Sequence, residues 1–125
     1  MRLSRSITAH EVPGAESHIT VTADERDPAN GNASHHYRCE WKELDGIHYI
    51  GVPFQHGPIK ENAVNGITNE ILIAMVMDRL ESFQAGKFAC DENAEALASL
   101  THALEMLKLR TVNRVARGVE GKNLK

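Results

Sequence analysis

No apolar run in this chain approaches the roughly 18 residues that a membrane span requires. The longest, Ile71 to Met77, stops at Asp78 and Arg79. The opening residues, Met1 to Thr8, lack the apolar core of a secretory signal. Cysteine is scarce too: Cys39 and Cys90 could pair, but two cysteines in a chain without a leader favour reduced, packed thiols and a cytosolic setting. There is no P-loop, no dinucleotide-binding glycine pattern, no serine elbow and no paired carboxylate beside a plausible general acid. Turnover needs such groups, so their absence favours binding without chemistry, a protein that is not an enzyme. His35 and His36 invite a metal reading, but neighbours on a strand point to opposite faces and no second ligand pair has zinc-like spacing, so no metal is expected. His102, alone in mid-helix, is expected at the surface.

A basic face is missing as well. Residues 1–60 carry a net charge of −2 and residues 61–107 a net −6, while residues 108–125 carry +5. A general nucleic-acid binder is usually basic over a whole face. Positive charge confined to one end suits a small anion better. With 125 residues, 42% of them hydrophobic, the chain is expected to form one domain, 1–125.

What is present divides into a β part over 16–56, a connecting loop over 57–67 and a helical hairpin over 68–118. His18-Ile19-Thr20-Val21-Thr22 alternates and is β-branched, so it predicts a short strand. Asp27 to Ser34 is rich in turn residues. Asp45-Gly46 between two strand-like runs is the signature of a two-residue hairpin loop. That loop would set Trp41 opposite Ile50, Cys39 opposite Val52 and Tyr37 opposite Phe54, all on one face. Arg38, Glu40 and Lys42 would take the other face with His48. Pro53, lacking an N–H, predicts an edge strand or a non-bonded position.

Thr68 or Asn69 can cap the first long helix, with Glu70 in its first turn and Gly86 as its stop. Its start is apolar nearly all round, from Ile71 to Met77, which predicts burial against another subunit. The second helix begins near Asp91, with Cys90 or Asp91 at its cap, and runs to Gly118. Leu97, Leu100, Leu104 and Leu107 give it a coiled-coil-like seam, with Met106, Leu109 and Val112 as a second strip. The fold class is therefore α+β: a small N-terminal antiparallel β-sheet followed by a C-terminal antiparallel helical hairpin that mediates oligomerisation.

The residues able to carry chemistry cluster on this hairpin. Arg110, Arg114 and Arg117 follow at i, i+4 and i+7 and share one side of the helix. Two readings stand: a solvated basic end that complements the helix dipole, or a phosphate clamp of guanidinium forks. Phe83 can likewise be core or ligand platform, and Asn93 a first-turn cap or a base reader. Arg110 lies seventeen residues after Asn93, roughly 25 Å along a helix. One small ligand cannot touch both within one chain. If two hairpins pair antiparallel, Phe83, Lys87 and Asn93 of one meet Arg110 and Arg114 of the other, and a twofold axis makes two equal pockets.

These residues carry a resemblance. The stretch Gly57-Pro58-Ile59-Lys60 through Val64-Asn65-Gly66, then Phe83-Gln84-x-Gly86-x-Phe88-x-Cys90-x-x-Asn93, and Leu107-x-x-Arg110-Thr111-x-x-Arg114-x-x-Arg117-Gly118, resembles the phage Thoeris anti-defence sponge family. That family shares its C-terminal helical hairpin with the anti-CBASS cyclic-nucleotide sponges. The likeness covers about half the chain. It implies a phage protein in the cytoplasm of the infected bacterial host that binds cyclic ADP-ribose isomers without degrading them, with no cofactor. It carries over Phe83, Asn93, Arg110 and Arg114 as ligand-pocket residues at a dimer interface; Lys87 and Arg117 join them from placement alone. The family also implies assembly beyond the dimer, to hexamers, and a second site for CBASS cyclic di- or trinucleotides. The basic residues on offer for that site are Arg26 and Lys60. No long nucleic acid and no membrane is expected as partner. The rival readings are a homo-oligomeric interaction protein and a small nucleic-acid-binding protein.

Overall fold

A computed structural model describes residues 3–122; Met1, Arg2 and Lys125, counted above in the opening segment and the basic end, lie outside the described residues. Among those described, no helix is long and apolar enough to cross a membrane. The chain divides between Gly66 and Ile67 into a sheet unit and a helical unit.

The sheet unit is a four-stranded antiparallel meander in the order β1 (Leu3–Ile7), β2 (Ile19–Asp24), β3 (His36–Glu43), β4 (Gly46–Pro53). Strand β1 precedes the β part expected from the sequence. Its alternation rests on few apolar residues, and its strand form depends on the ladder it makes with β2. Pro53 does fall on an edge strand, as its missing N–H requires.

The β3–β4 hairpin forms, but its register corrects the expected one. Glu43 pairs with Gly46, so the two loop residues are Leu44 and Asp45, and Trp41 faces His48, Cys39 faces Ile50 and Tyr37 faces Val52. An Asp-Gly loop of the mirror-image type needs positive φ at both positions. Here only Gly46 has it, at 133°. The slip is two residues, so Tyr37, Cys39, Trp41, Ile50 and Val52 keep their shared face, and the one side chain misplaced is His48, which parity puts on that face in either register. His48 lies with Trp41, its ring stacked at 6.2 Å, and not with Arg38, Glu40 and Lys42. Phe54 still meets Tyr37 edge to face at 5.4 Å.

This unit is held by polar groups more than by a core. Ala23 is its one buried hydrophobic residue among those described, while Asp24, Ser34 and His35 are buried beside it. Ser34 donates to the Asp24 carbonyl, the His35 N–H donates to the Asp24 carboxylate, and Arg5 donates to Ser34. Asp27 caps the 3₁₀ turn Pro28–Asn30. Its carboxyl is held down at about 2 by the Asn30 amide first and then by His35.

Residues after β4 return to it through two carboxamides. The His56 N–H donates to Asn65 Oδ1, and Asn65 Nδ2 donates back to the His56 carbonyl. Gln55 accepts from the Asn65 N–H and donates to the Ala63 carbonyl. A short helix, α1 (Ile59–Asn62), sits inside this closed loop, where the sequence reading had only a connection.

In the helical unit, α2 (Asn69–Gln84) is capped by Thr68, whose hydroxyl accepts from the Ile71 N–H. Helix α3 (Asp91–Ala116) begins at Cys90 with Asp91 and Glu92 in its first turn. It ends in a Schellman motif: the Gly118 N–H donates to the Val115 carbonyl and the Val119 N–H to that of Arg114, with Gly118 at φ 73°. Leu97, Leu100, Leu104 and Leu107 are half-buried on the side that packs on α2, yet neither helix contains a buried residue. Both cysteines are free thiols; Cys39 is half-buried, but Cys90 is exposed rather than packed inside. His102 is exposed, as expected.

A Cβ at Gly66 would sit 2.5 Å from the Phe54 carbonyl carbon and oxygen, which are backbone and cannot yield. Gly66→Ala is expected to lower stability by more than about 2 kcal/mol in urea unfolding. Gly86, which is not in the left-handed region and meets only the Ser82 carbonyl at 3.9 Å, should accept Ala with no loss.

Candidate functional site

The bend between α2 and α3 is shaped by one side chain. Gln84 Oε1 accepts from the Cys90 N–H at 3.0 Å and Gln84 Nε2 donates to the Cys90 carbonyl at 3.1 Å. This two-point grip closes residues 85–89 into a tight loop and supplies what the Cys90 cap cannot, since its thiol makes no capping bond. Phe83 and Phe88 meet edge to face at 6.2 Å across the bend. Arg79 lies over the Phe83 ring and Lys87 over the Phe88 ring, at 5.5 and 5.3 Å. Phe83 keeps over a third of its surface exposed, so it is neither core nor free platform. Asn93, in the first turn of α3, is half-buried, and its side chain makes no hydrogen bond among the described residues. Phe83, Lys87 and Asn93 thus belong to one end of the hairpin.

The arginines belong to the other end. Arg110, Arg114 and Arg117 line one open hollow of about 650 Å³ with Met106, Leu109 and Asn113. The expected shared face is therefore real, and it is mixed: Met106 and Leu109 expose about half their surface between the cations. Helix α3 is unbroken from Asp91 to Ala116, so the rise from Asn93 to Arg110 is roughly 25 Å. One chain does not bring Phe83 or Asn93 to the arginines.

The three cations differ in state. Arg110 and Arg117 are exposed and make no ion pair or hydrogen bond among the described residues. Arg114 is only 12% exposed. Its Nε donates to Glu120 at 2.9 Å, and its Nη2 donates to the Val119 and Lys122 carbonyls, each at 2.9 Å. The turn made by Gly118 brings those acceptors back over the helix end. Arg26 donates to the Asn32 carbonyl at 3.3 Å, and Lys60 stands exposed on α1; both belong to the sheet unit.

Sequence reasoning missed Gln84 and Glu120 as organising residues, and it missed a meeting of Asp27, His35 and His56. It weighed histidines only by spacing along the chain. The signal available was the pair Gln55 and Asn65, whose amides close the loop that carries His56 toward His35.

With this geometry in place, comparison with known proteins is specific. The family model described as Acb2/Tad1, hairpin domain, matches residues 47–111, a span that contains Phe83, Lys87, Asn93 and Arg110. Among curated relatives is "Thoeris anti-defense 1" of Bacillus phage SBSphiJ7, 53% identical over 70 residues that cover 56% of this chain and 49% of the relative. The chain spans about half the length of that relative.

Gln84→Ala removes both bonds to Cys90. A loss of about 1–2 kcal/mol in urea unfolding is expected, with the sheet unit's own signal unmoved.

Proposed function

The chain belongs to the Acb2/Tad1 hairpin family, and from that premise we propose that it is a phage anti-defence protein that binds and sequesters cyclic nucleotide immune signals. Cyclic ADP-ribose isomers of the Thoeris system are the leading ligands, and the place of action is the cytoplasm of the infected bacterial host. The observation that carries the reading is the mixed arginine face of α3. Guanidinium forks match phosphate oxygens two bonds at a time, and the apolar groups between them accept the flat, less polar parts of a nucleotide. The name of the phage relative supports the same class of activity.

The pocket is shared between chains. Both helices expose apolar surface, including Met75, Val76, Met106 and Val112, so each hairpin offers an interface to a second copy. In an antiparallel pair, the bend of one subunit lies beside the arginine end of the other. Arg110 and Arg114 then grip the pyrophosphate, with Arg117 and Lys87 adding charge. Phe83 packs on adenine or ribose, and the unpaired carboxamide of Asn93 bonds the ligand. Further assembly to a hexamer would gather loops of the sheet unit, where Arg26 and Lys60 would serve a second site for CBASS cyclic di- or trinucleotides.

Release without degradation is supported by what stands beside the arginines. The carboxylate at hand, Glu120, is paired with Arg114 and so is poorly placed as a base. No cofactor, metal or long nucleic acid enters this reading.

Incubation with cyclic ADP-ribose isomers should deplete free ligand, and heating should return it unaltered; altered ligand would point to an enzyme. The ligand should raise the melting temperature by mass action. Arg110→Ala should weaken binding by about 2–5 kcal/mol, thirtyfold or more, while leaving the fold intact. A chain that no cyclic nucleotide stabilises, and whose activity survives Arg110→Ala, would be an interaction protein. Affinity for long DNA that falls steeply with salt would make it a nucleic-acid binder.

A further inference from the structure

Three side chains of the sheet unit, two from the β2–β3 loop and one from the segment after β4, converge on one point. His35 Nε2 lies 2.9 Å and His56 Nε2 3.2 Å from the same oxygen, Asp27 Oδ2. All three donor atoms fall within 4.8 Å of one another. We propose that Asp27, His35 and His56 form a zinc(II) site with its fourth position open to solvent.

The donor set suits the ion. Two imidazoles and one carboxylate are ordinary zinc ligands, and three protein ligands plus an open position is a recognised arrangement. With bonds of about 2.0–2.1 Å, neighbouring ligands of a tetrahedral ion lie about 3.3 Å apart. The contacts of 2.9 and 3.2 Å are close to that edge.

The donors are also fixed before any ion arrives. Asp27 is held by Asn30 Nδ2 and the Ala29 N–H, and its own N–H donates to the Ala33 carbonyl. His35 is buried, with its N–H on Asp24 and its carbonyl accepting from the Phe54 N–H. The His56 backbone is clamped from both sides by Asn65. Ligands held by a second layer of hydrogen bonds bind metal more tightly than loose ones.

One movement is required. The two rings stack at 4.0 Å and 14° apart, and a bound ion must lie near the plane of each ring. His35 is enclosed, whereas the His56 side chain is 58% exposed, so His56 tilts out of the stack. Each neutral ring then carries its proton on Nδ1 and offers the Nε2 lone pair.

The ion has a structural task to perform. It would tie the two ends of the β2–β3 loop to the segment after β4, in a unit whose described residues bury one alanine as hydrophobic core. Small units of this kind commonly add a metal or a disulfide. Binding to the folded form alone adds its free energy to stability.

The full chain, stripped with chelator and dialysed, is titrated with zinc chloride by calorimetry and thermal shift. One zinc per chain and a raised melting temperature are expected. Cobalt(II) in place of zinc should give the visible absorption of a tetrahedral site. His56→Ala and Asp27→Asn, each compared with its own metal-free melting temperature, should weaken zinc binding at least about tenfold. His48→Ala, which removes the histidine beside Glu43 and Asp45, should leave it unchanged. No zinc response in the native chain, an equal response to magnesium, or a response that survives both ligand variants would overturn the site.

Discussion

A third of this chain is a helical pair in which no residue is buried, and the rest of its behaviour is constrained by that shortage of cover. The leucine seam of α3 is satisfied by α2 only halfway. The outer strips, Met75 and Val76 on one helix and Met106, Leu109 and Val112 on the other, face solvent in the single chain. Apolar area of this extent in a small unit suits a partner surface. Under the proposed reading, the same pairing that supplies the cover also joins the two ends of the ligand pocket. Stability and binding would then be one event, and a substitution on the apolar strips would harm both.

Both loops that matter are closed by the same device. A carboxamide donates to and accepts from the backbone of a single distant residue, Gln84 on Cys90 and Asn65 on His56. Each imitates one rung of an antiparallel ladder where no strand is available. A carboxylate could supply only the acceptor half, and a hydroxyl lacks the reach. The glycines beside these clamps answer to close approach: Gly66 lies against the Phe54 backbone, and Gly57, at φ 80°, lies against Asn62.

Much of the architecture was legible because it depends on local chemistry. Thr68 and Gly118 mark helix ends through capping that any sequence reader can apply. The alternation of Tyr37, Cys39 and Trp41 fixes which face they share. What failed depended on choices between near-equal local states or on distant partners. The hairpin slipped by two residues because Asp45 keeps negative φ and leaves the left-handed position to Gly46 alone. Strand β1 carries too few apolar residues to announce itself. The face of Arg110, Arg114 and Arg117 followed from spacing, but nothing in spacing distinguishes the engaged Arg114 from its two open neighbours. The convergence of His35 and His56 on Asp27 arises from a loop closed by Gln55 and Asn65, a tertiary event with no local signature.

The Schellman turn after α3 has an electrostatic consequence. By folding the chain back, it sets Glu120 and two carbonyl oxygens against Arg114. An approaching anion therefore meets two open guanidinium groups, Arg110 and Arg117, on either side of an Arg114 that its own chain has already oriented. Such a field steers by direction more than by total charge. Under the proposed reading, it would favour a ligand whose negative groups are compact enough to be held beside these cations over an extended polyanion.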